Sequence, residues 1–233
     1  MNVVSGSIAD NFASLSERIT RAASRAGRHA EEITLVGISK TFSADHIRAA
    51  YEAGVRHFGE NRVQEWEAKQ PLVADLDATW HLVGHLQSNK AARAARLFHS
   101  IDSVDDAELA QKLDRSDGVA SISVLIEVRL SPEDTKTGVE VAGLSPLAKA
   151  IIALPHLNLR GLMCIPPFHQ DAQRARPYFA RLRELRDSLS GQIKRPLPEL
   201  SMGMSHDFEV AIEEGATQVR IGTALFGGRI SLP

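Results

Sequence analysis

The sequence predicts a single domain, a closed α/β barrel of the (β/α)₈ or TIM type, preceded by one extra helix. Eight short apolar segments alternate with segments of helical periodicity along the 233 residues, and no long linker separates them. This alternation implies parallel pairing through right-handed crossovers, and eight such units close a barrel. The alternative, an open doubly wound sheet, usually carries Gly-x-Gly-x-x-Gly after its first strand, where this chain has Ser39-Lys40-Thr41-Phe42. We therefore predict one barrel over residues 1–233, with residues 1–30 as a helix packed on it.

The predicted strands are short, and most are rich in the apolar and β-branched residues typical of buried parallel strands. The segment from Ser121 to Leu130 gives the clearest signal and the one from His99 to Asp102 the weakest. The eight strands are predicted at Ile33 to Lys40, His57 to Gly59, Thr79 to Gly84, His99 to Asp102, Ser121 to Leu130, Asn158 to Ile165, Glu199 to Ser201 and Gln218 to Ile221.

The first helices are predicted from apolar periodicity and capping residues. Apolar residues at intervals of four, three and four predict the extra N-terminal helix, which ends at Gly27. These residues are Ile8, Phe12, Leu15 and Ile19. Ser43 caps the next helix, which ends at Gly54, and a third helix follows from Val63 to Lys69.

Serine residues mark the starts of the middle helices. Ser88 opens a helix that ends at Leu97, and Ser103 with Asp106 resembles a capping box for the next one. Ser145-Pro146 predicts an N-cap and an N1 proline for a further helix, which Pro155 closes.

Two helices are predicted in the last third of the chain. A long helix ends at Gly191, and its basic run from Arg174 to Arg186 also carries apolar residues at helical spacing. We expect those arginines on a solvated outer face. Ser205 caps the last predicted helix, which ends at Gly215.

The composition excludes several classes of function. The formal net charge of −2 gives no general attraction to nucleic acid or to anionic membranes. No hydrophobic stretch approaches the length of a membrane span, and the first residues lack the apolar core of a signal peptide. The single cysteine, Cys164, cannot form an internal disulfide and is expected to be a buried thiol. We therefore expect a cytoplasmic protein without a membrane or nucleic-acid partner.

Lys40, at the end of the first predicted strand, is the residue with the clearest chemical potential. Burial disfavours the charged ammonium and lowers a lysine pKa. A neutral amine in such a place attacks carbonyl groups and forms Schiff bases. The alternative is a lysine whose amine extends into solvent, as most lysines do.

Two turns rich in small residues follow the last two strands. They read Ser201-Met202-Gly203-Met204-Ser205 and Arg220 to Gly228. Barrels often hold phosphate at these two turns, with backbone N–H groups as donors. A Schiff-base lysine and a phosphate cradle in one barrel mouth favour pyridoxal 5′-phosphate, an aldehyde with a phosphate group. A class I aldolase acting on a sugar phosphate is the alternative, although barrel aldolases usually carry the lysine on a later strand.

Arg220 bears on the chemistry that such a cofactor could support. An arginine donates hydrogen bonds and accepts no proton, so an arginine facing the pyridine nitrogen leaves that nitrogen unprotonated. The ring is then a poor electron sink, and carbanion chemistry such as transamination is disfavoured. The alternative is an Arg220 paired with a carboxylate such as Glu60.

Other candidates are weaker. His81 and His85 lie on a strand and the turn after it, which argues against a metal pair, and no metal site is predicted. Asp134, Lys136 and Gly138 follow the fifth strand and either line the mouth or form a solvated loop.

Seven motifs, taken together, resemble the YggS/PROSC family of pyridoxal phosphate homeostasis proteins. They run in order from about residue 33 to residue 228. The motifs are Ile38 to Thr41, Phe58 to Asn61 with Val63 to Glu65, Trp80 to Gly84 with Leu86 to Lys90, Lys136 to Gly138, Arg160 to Met163, Ser201 to Ser205, and Val219 to Thr223 with Phe226-Gly227.

The resemblance implies a barrel like the N-terminal domain of alanine racemase, with pyridoxal phosphate held as a Schiff base at Lys40. Arg220 would face the ring nitrogen. Ser201, Gly203, Gly222 and Thr223 would hold the phosphate, and Asn61 is the remaining residue expected to bind the cofactor. The family is regarded as buffering or delivering the cofactor, so the implied partners are apo forms of enzymes that use it. A monomer or weak dimer is expected.

No dedicated catalytic reaction is expected. Alanine racemases add a β-domain that supplies a second base, and the sequence leaves no room for one after the eighth strand. An amino-acid racemase or a related small-substrate enzyme using the same cofactor is the alternative function. Two positions depart from the family pattern, since Arg62 stands where tyrosine is common and Arg129 where asparagine is frequent.

Overall fold

The computed structural model describes residues 6–116, 121–131 and 137–228. Eight parallel strands form a closed barrel in sequence order, and the first strand pairs with both the second and the eighth. The predicted barrel is confirmed. The strands are β1 (Thr34–Ile38), β2 (His57–Glu60), β3 (Thr79–Leu82), β4 (Ser100–Val104), β5 (Ile122–Glu127), β6 (Leu157–Met163), β7 (Glu199–Met204) and β8 (Gln218–Ile221).

Helices connect the strands and surround the barrel, and one additional helix precedes it as predicted. The helices are α1 (Ile8–Arg25), α2 (Ala44–Ala53), α3 (Val63–Lys69), α4 (Ala91–Leu97), α5 (Ala107–Asp114), α6 (Val141–Ile152), α7 (Arg176–Ile193), α8 (Phe208–Glu213) and α9 (Thr223–Phe226). Among the helices in the described part of the chain, none has both the length and the apolar composition to span a bilayer.

Helix α1 covers the start and the end of the barrel. Its N-terminus is a capping box in which Ser7 and Asp10 bond each other's backbone N–H groups. Its buried face contains Leu15 and Ile19, and the helix packs against α2, α8 and α9. Arg18 binds both carboxylate oxygens of Glu209, at 3.1 and 3.0 Å. The helix therefore ties the first and last units of the barrel together.

Two predicted helix starts in the middle of the chain are wrong. Asp106 alone caps α5, because its Oδ1 accepts the Leu109 N–H at 2.7 Å, whereas Ser103 lies on buried β4 and donates to the Gly84 carbonyl. Helix α6 begins at Val141, so Pro146 lies inside it and not at N1. The missing proline N–H costs one helical hydrogen bond. The helix continues through it because a buried apolar face packs on the barrel.

Other element boundaries move by a few residues. Ser88 opens a 3₁₀ turn, and α4 starts only at Ala91. Helix α7 continues two residues past Gly191, and β7 reaches Met204. The outer face of α7 is charged as predicted, and Arg176 pairs with Glu213, the last residue of α8, and with Glu214 after it.

The apolar core lies mainly between the barrel wall and the helices. Trp66 of α3 stacks on Trp80 of β3 with ring centroids 4.0 Å apart. A smaller cluster of Val36, Ile38 and Val83 lies inside the barrel next to Gly59, where a Cβ atom would lie 2.6 Å from Ile38 Cδ1. The remainder of the interior is unusually polar, and its buried groups lead to the candidate site.

Candidate functional site

A cavity of about 320 Å³ opens at the C-terminal ends of the strands. This is the face where barrel proteins place their functional residues. Five of the predicted site residues line the cavity, namely Lys40, Asn61, Arg220, Gly222 and Thr223. The closure of the barrel between β1 and β8 brings Lys40 beside the last three.

Lys40 lies in a tight turn after β1 and is half-buried. The Phe42 N–H bonds the Ser39 carbonyl at 3.1 Å, so Lys40 and Thr41 occupy the two central positions of the turn. Thr41 has φ of 68°, a left-handed conformation that costs energy for a residue with a β-branched side chain. The turn presents Lys40 towards the cavity.

Arg220 is a buried cation on β8, with only 4% of its surface exposed. Its Nη1 donates to Ser201 Oγ and its Nη2 to the Cys164 carbonyl, both at 2.8 Å. Burial lowers the pKa of Arg220, and nearby acidic groups, among them Asp102 and Glu127, act in the opposite direction. Since guanidinium pKa values are so high, the side chain stays charged. It is a fixed donor at the floor of the cavity.

Arg220 does not pair with Glu60, the carboxylate named as its alternative partner. Glu60 bonds Lys69 at 2.5 Å and Ser39 Oγ at 2.7 Å instead. The positive charge of Arg220 is therefore not compensated by a direct ion pair with Glu60.

Ser205 joins the two turns after β7 and β8. Its Oγ accepts the N–H groups of Gly222 and Ala224, both at 3.3 Å. The prediction that Ser205 caps α8 is wrong, because Asp207 precedes that helix and its Oδ1 accepts the Met204 N–H at 2.7 Å. Two backbone donors thus converge on one oxygen at the cavity wall, an arrangement suited to an anionic oxygen.

Ser201 and Gly203 do not line the cavity, and their predicted contact with phosphate remains a prediction. Ser201 is buried and supports Arg220. Gly203 has φ of 90°, and a Cβ atom there would lie 2.5 Å from Ala211 Cβ, so this position serves the close packing of α8 on β7.

Two histidines and a carboxylate continue the polar interior below the cavity. His81 Nδ1 lies 3.1 Å from Asp102 Oδ2, and His81 Nε2 lies 3.1 Å from His57 Nδ1. Burial, together with the neighbouring His81, lowers the pKa of His57 to about 4, so His57 is neutral at pH 7. His85 lies apart, 3.6 Å from Asp105. Within the described ranges, no group of three or more His, Cys, Asp or Glu residues is placed to hold a metal ion.

The loop after β5 forms a smaller adjoining pocket. Arg129 lines this pocket and pairs with Glu140, while Arg62 is exposed at the start of α3. Neither departure from the family pattern lines the main cavity. Asp134 and Lys136 lie outside the described residues.

Cys164 is a buried thiol next to the arginine that its carbonyl binds. Burial raises its pKa from 9.0 to about 12. We expect folded protein at pH 8 to react with a thiol reagent such as DTNB at least about a hundredfold more slowly than unfolded protein. Because the unfolded state loses this proton first, the thiol should also reduce stability as the pH rises above about 9. Rapid labelling of the folded protein would contradict this assignment.

Comparisons with known proteins agree with the fold and show the family of the chain. The alanine racemase N-terminal domain family matches residues 11–230. The pyridoxal phosphate homeostasis protein of Aquifex aeolicus (strain VF5) is 48% identical over 216 residues, which cover 91% of this chain and 94% of that protein. The protein of the same name from Pseudomonas aeruginosa (strain PAO1) is 46% identical over 226 residues, covering 95% and 96%.

Solved structures give the same result. PipY of Synechococcus elongatus PCC7942, determined without PLP, has a TM-score of 0.85 and 42% identity, covering 94% of this chain and all 100% of that one. The same protein with PLP bound has a TM-score of 0.84. An alanine racemase of Clostridium difficile 630, at 14% identity and a TM-score of 0.74, shares the fold over 95% of this chain and 58% of its own.

The fold and the site define a barrel of the alanine racemase N-terminal domain class, with a lysine after the first strand and an arginine on the last. Within that class, the chain belongs to the family of pyridoxal phosphate homeostasis proteins.

Proposed function

We propose that this protein binds pyridoxal 5′-phosphate through a Schiff base at Lys40 and acts in the homeostasis of this cofactor, by buffering or delivering it. The observation that carries the proposal is one cavity lined by both Lys40 and the Gly222–Thr223 turn, which follow the adjacent strands β1 and β8. The names of the homologous proteins and the PLP-bound structure of PipY support it.

The donor set fits the chemistry of this cofactor. We assign the phosphate to the backbone around Gly222 and Thr223, where Ser205 already receives two N–H groups at 3.3 Å. When bound, the cofactor would supply an aldehyde, with which the Lys40 amine would form a C=N bond as one water leaves. Asn61 lines the same cavity, and we assign to it a contact with the pyridine ring of the cofactor.

The position of Arg220 supports the proposal that this protein binds the cofactor without catalysing a dedicated reaction. Its two described hydrogen bonds, to Ser201 and to the Cys164 carbonyl, hold the guanidinium in place at the cavity floor. A fixed, fully charged donor facing the ring nitrogen would keep that nitrogen unprotonated. The cofactor would then be retained in a form with little capacity for carbanion chemistry.

The mouth of the cavity is suited to release as well as to binding. Phe168 and Ile165 line the rim with 75% and 38% of their surfaces exposed. Apo enzymes that require the cofactor are the proposed recipients, in the cytoplasm, with this protein acting as a monomer or weak dimer. Amino-acid racemisation remains the alternative, and deuterium exchange at Cα of a panel of amino acids would detect it.

Borohydride reduction of the protein loaded with pyridoxal phosphate tests the proposal. We expect an absorption band of the protein-bound cofactor that disappears on reduction, and peptide mapping that places the fixed adduct at Lys40. Adducts spread over several surface lysines, or no adduct at all, would refute the proposal.

A further inference from the structure

A second lysine, Lys69, is buried directly behind the turn that carries Lys40. It is the last residue of α3, with 9% of its surface exposed. Its Nζ lies 2.5 Å from Glu60 Oε1 and 3.0 Å from Glu65 Oε1. A buried lysine is costly unless its charge is compensated, and two carboxylates compensate this one.

Lys69 also binds the backbone of the Lys40 turn. Its Nζ lies 3.0 Å from the Ser39 carbonyl and 3.4 Å from the Phe42 carbonyl, which are the first and last residues of the turn. One ammonium group therefore spans both ends of the turn, with Lys40 between them.

The two carboxylates reach the same turn. Glu65 Oε1 accepts the Thr41 N–H at 2.5 Å, and Glu60 Oε1 accepts the Ser39 hydroxyl at 2.7 Å. We refer to Lys69, Glu60 and Glu65 as the Lys69 cluster. Ser39, Thr41 and Phe42 each receive a hydrogen bond from this cluster or give one to it.

The turn is strained at the position that the cluster holds. Thr41 has φ of 68°, where a glycine would be the usual residue. Backbone strain persists only where surrounding contacts impose it, and it is concentrated at functional sites. Without the cluster, a threonine at this position would favour a different turn and would direct Lys40 elsewhere.

We propose that Lys69 is a positioning residue for Lys40: it holds the strained turn in the one conformation that presents the Lys40 amine to the cavity. This inference rests on the proposed function, since it concerns the same amine. Lys69 does not itself contact the cavity. Its role is to set how fast and how completely Lys40 captures an aldehyde, while the phosphate-binding turns are unaffected.

A purely electrostatic role is the competing explanation. Glu60 is buried, and its Oε2 has no hydrogen-bond partner among the described residues. Removing Lys69 would leave this carboxylate uncompensated and could unfold the protein for that reason alone. The double variant Lys69→Met with Glu60→Gln removes the buried charge together with the ammonium, so it separates charge neutralisation from positioning.

The experiment compares two ligands on the full-length protein. Pyridoxal 5′-phosphate forms a covalent adduct, measured as the rate of borohydride-trappable product, whereas pyridoxine 5′-phosphate has no aldehyde and reports non-covalent affinity only. We expect Lys69→Met and the double variant to trap pyridoxal phosphate at least about tenfold more slowly than wild type, with the affinity for pyridoxine phosphate changed less than about twofold. Lys112→Met is the matched control, because Lys112 also pairs with a carboxylate, Glu108, but on the exposed face of α5.

The outcomes separate the explanations. A double variant that folds, as judged by its thermal melting, and traps at the wild-type rate would overturn the proposal. An equal loss of affinity for both ligands would also overturn it, because general disruption of the site predicts that result. If wild type itself traps nothing at Lys40, the proposed function fails and not this inference.

Discussion

Replacing Lys40 with alanine is expected to abolish the borohydride-fixed adduct and to weaken binding of pyridoxal phosphate by about a hundredfold or more, equivalent to about 2.7 kcal/mol. The reason is that Lys40 supplies the only covalent bond proposed between protein and cofactor. The turns after β7 and β8 that are proposed to hold the phosphate remain, so non-covalent binding should persist. Mass spectrometry of the reduced protein and titration with the cofactor measure the two effects.

A matched lysine variant and a second ligand serve as controls. Lys112→Ala removes an exposed lysine paired with Glu108 and should behave as wild type. Pyridoxine 5′-phosphate should bind Lys40→Ala with nearly unchanged affinity. The assignment of Lys40 fails if the Lys40→Ala protein still gives a fixed adduct at one dominant site.

The largest expected effect on stability is at Gly161, in β6. A Cβ atom at this position would lie 1.8 Å from the Glu199 carbonyl oxygen on the neighbouring strand β7, a distance at which the backbone must move. We expect Gly161→Ala to cost about 3 kcal/mol, because the overlap is with backbone and not with a flexible side chain. For a chain of this size the melting temperature should fall by about 6–12 °C.

Gly191 provides the control for this substitution. It lies in the last turn of α7, and a Cβ atom there meets nothing within 4 Å. Gly191→Ala should therefore leave stability unchanged or raise it by up to about 1 kcal/mol, since alanine is the better helix former. Equal melting temperatures for the two alanine variants would show that the β6–β7 contact is less tight than the structure indicates.

Both predictions concern one architecture, in which a rigid barrel places Lys40 and the fixed cation of Arg220 at the same cavity. Arg220 is held by a hydroxyl and a backbone carbonyl, and its charge is balanced by acidic groups at a distance, so it remains a donor for the cavity. A directly paired arginine would offer fewer free donors to a ligand. The separation of Arg220 from Glu60 therefore favours cofactor binding.

The strand pattern was predictable because buried parallel strands are short apolar runs, and all eight strands lie within three residues of their predicted ends. The largest differences are at β5, which ends three residues before Leu130, and at β7, which continues three residues past Ser201. Helix starts were less predictable, as Ser103 and Ser145 show. Serines followed by an acidic residue or a proline, the patterns that suggest a helix start, are common in sequences. Whether such a serine caps a helix depends on the burial of the residues around it.

The sequence by itself determined the order of the eight units and thus the meeting of Lys40 with the turn at Gly222, because a barrel of eight parallel strands places the first strand beside the last. Tertiary structure alone decided which side chains support that pair. Ser201 and Ser205 were both assigned to turns or caps, yet one holds Arg220 and the other joins two loops. Lys69 was predicted only as the end of a helix. Such contacts depend on strand register and helix placement, where a shift of one residue turns a side chain to the opposite face. The amino-acid composition of a local segment does not determine strand register or helix placement, so these contacts could not be predicted from it.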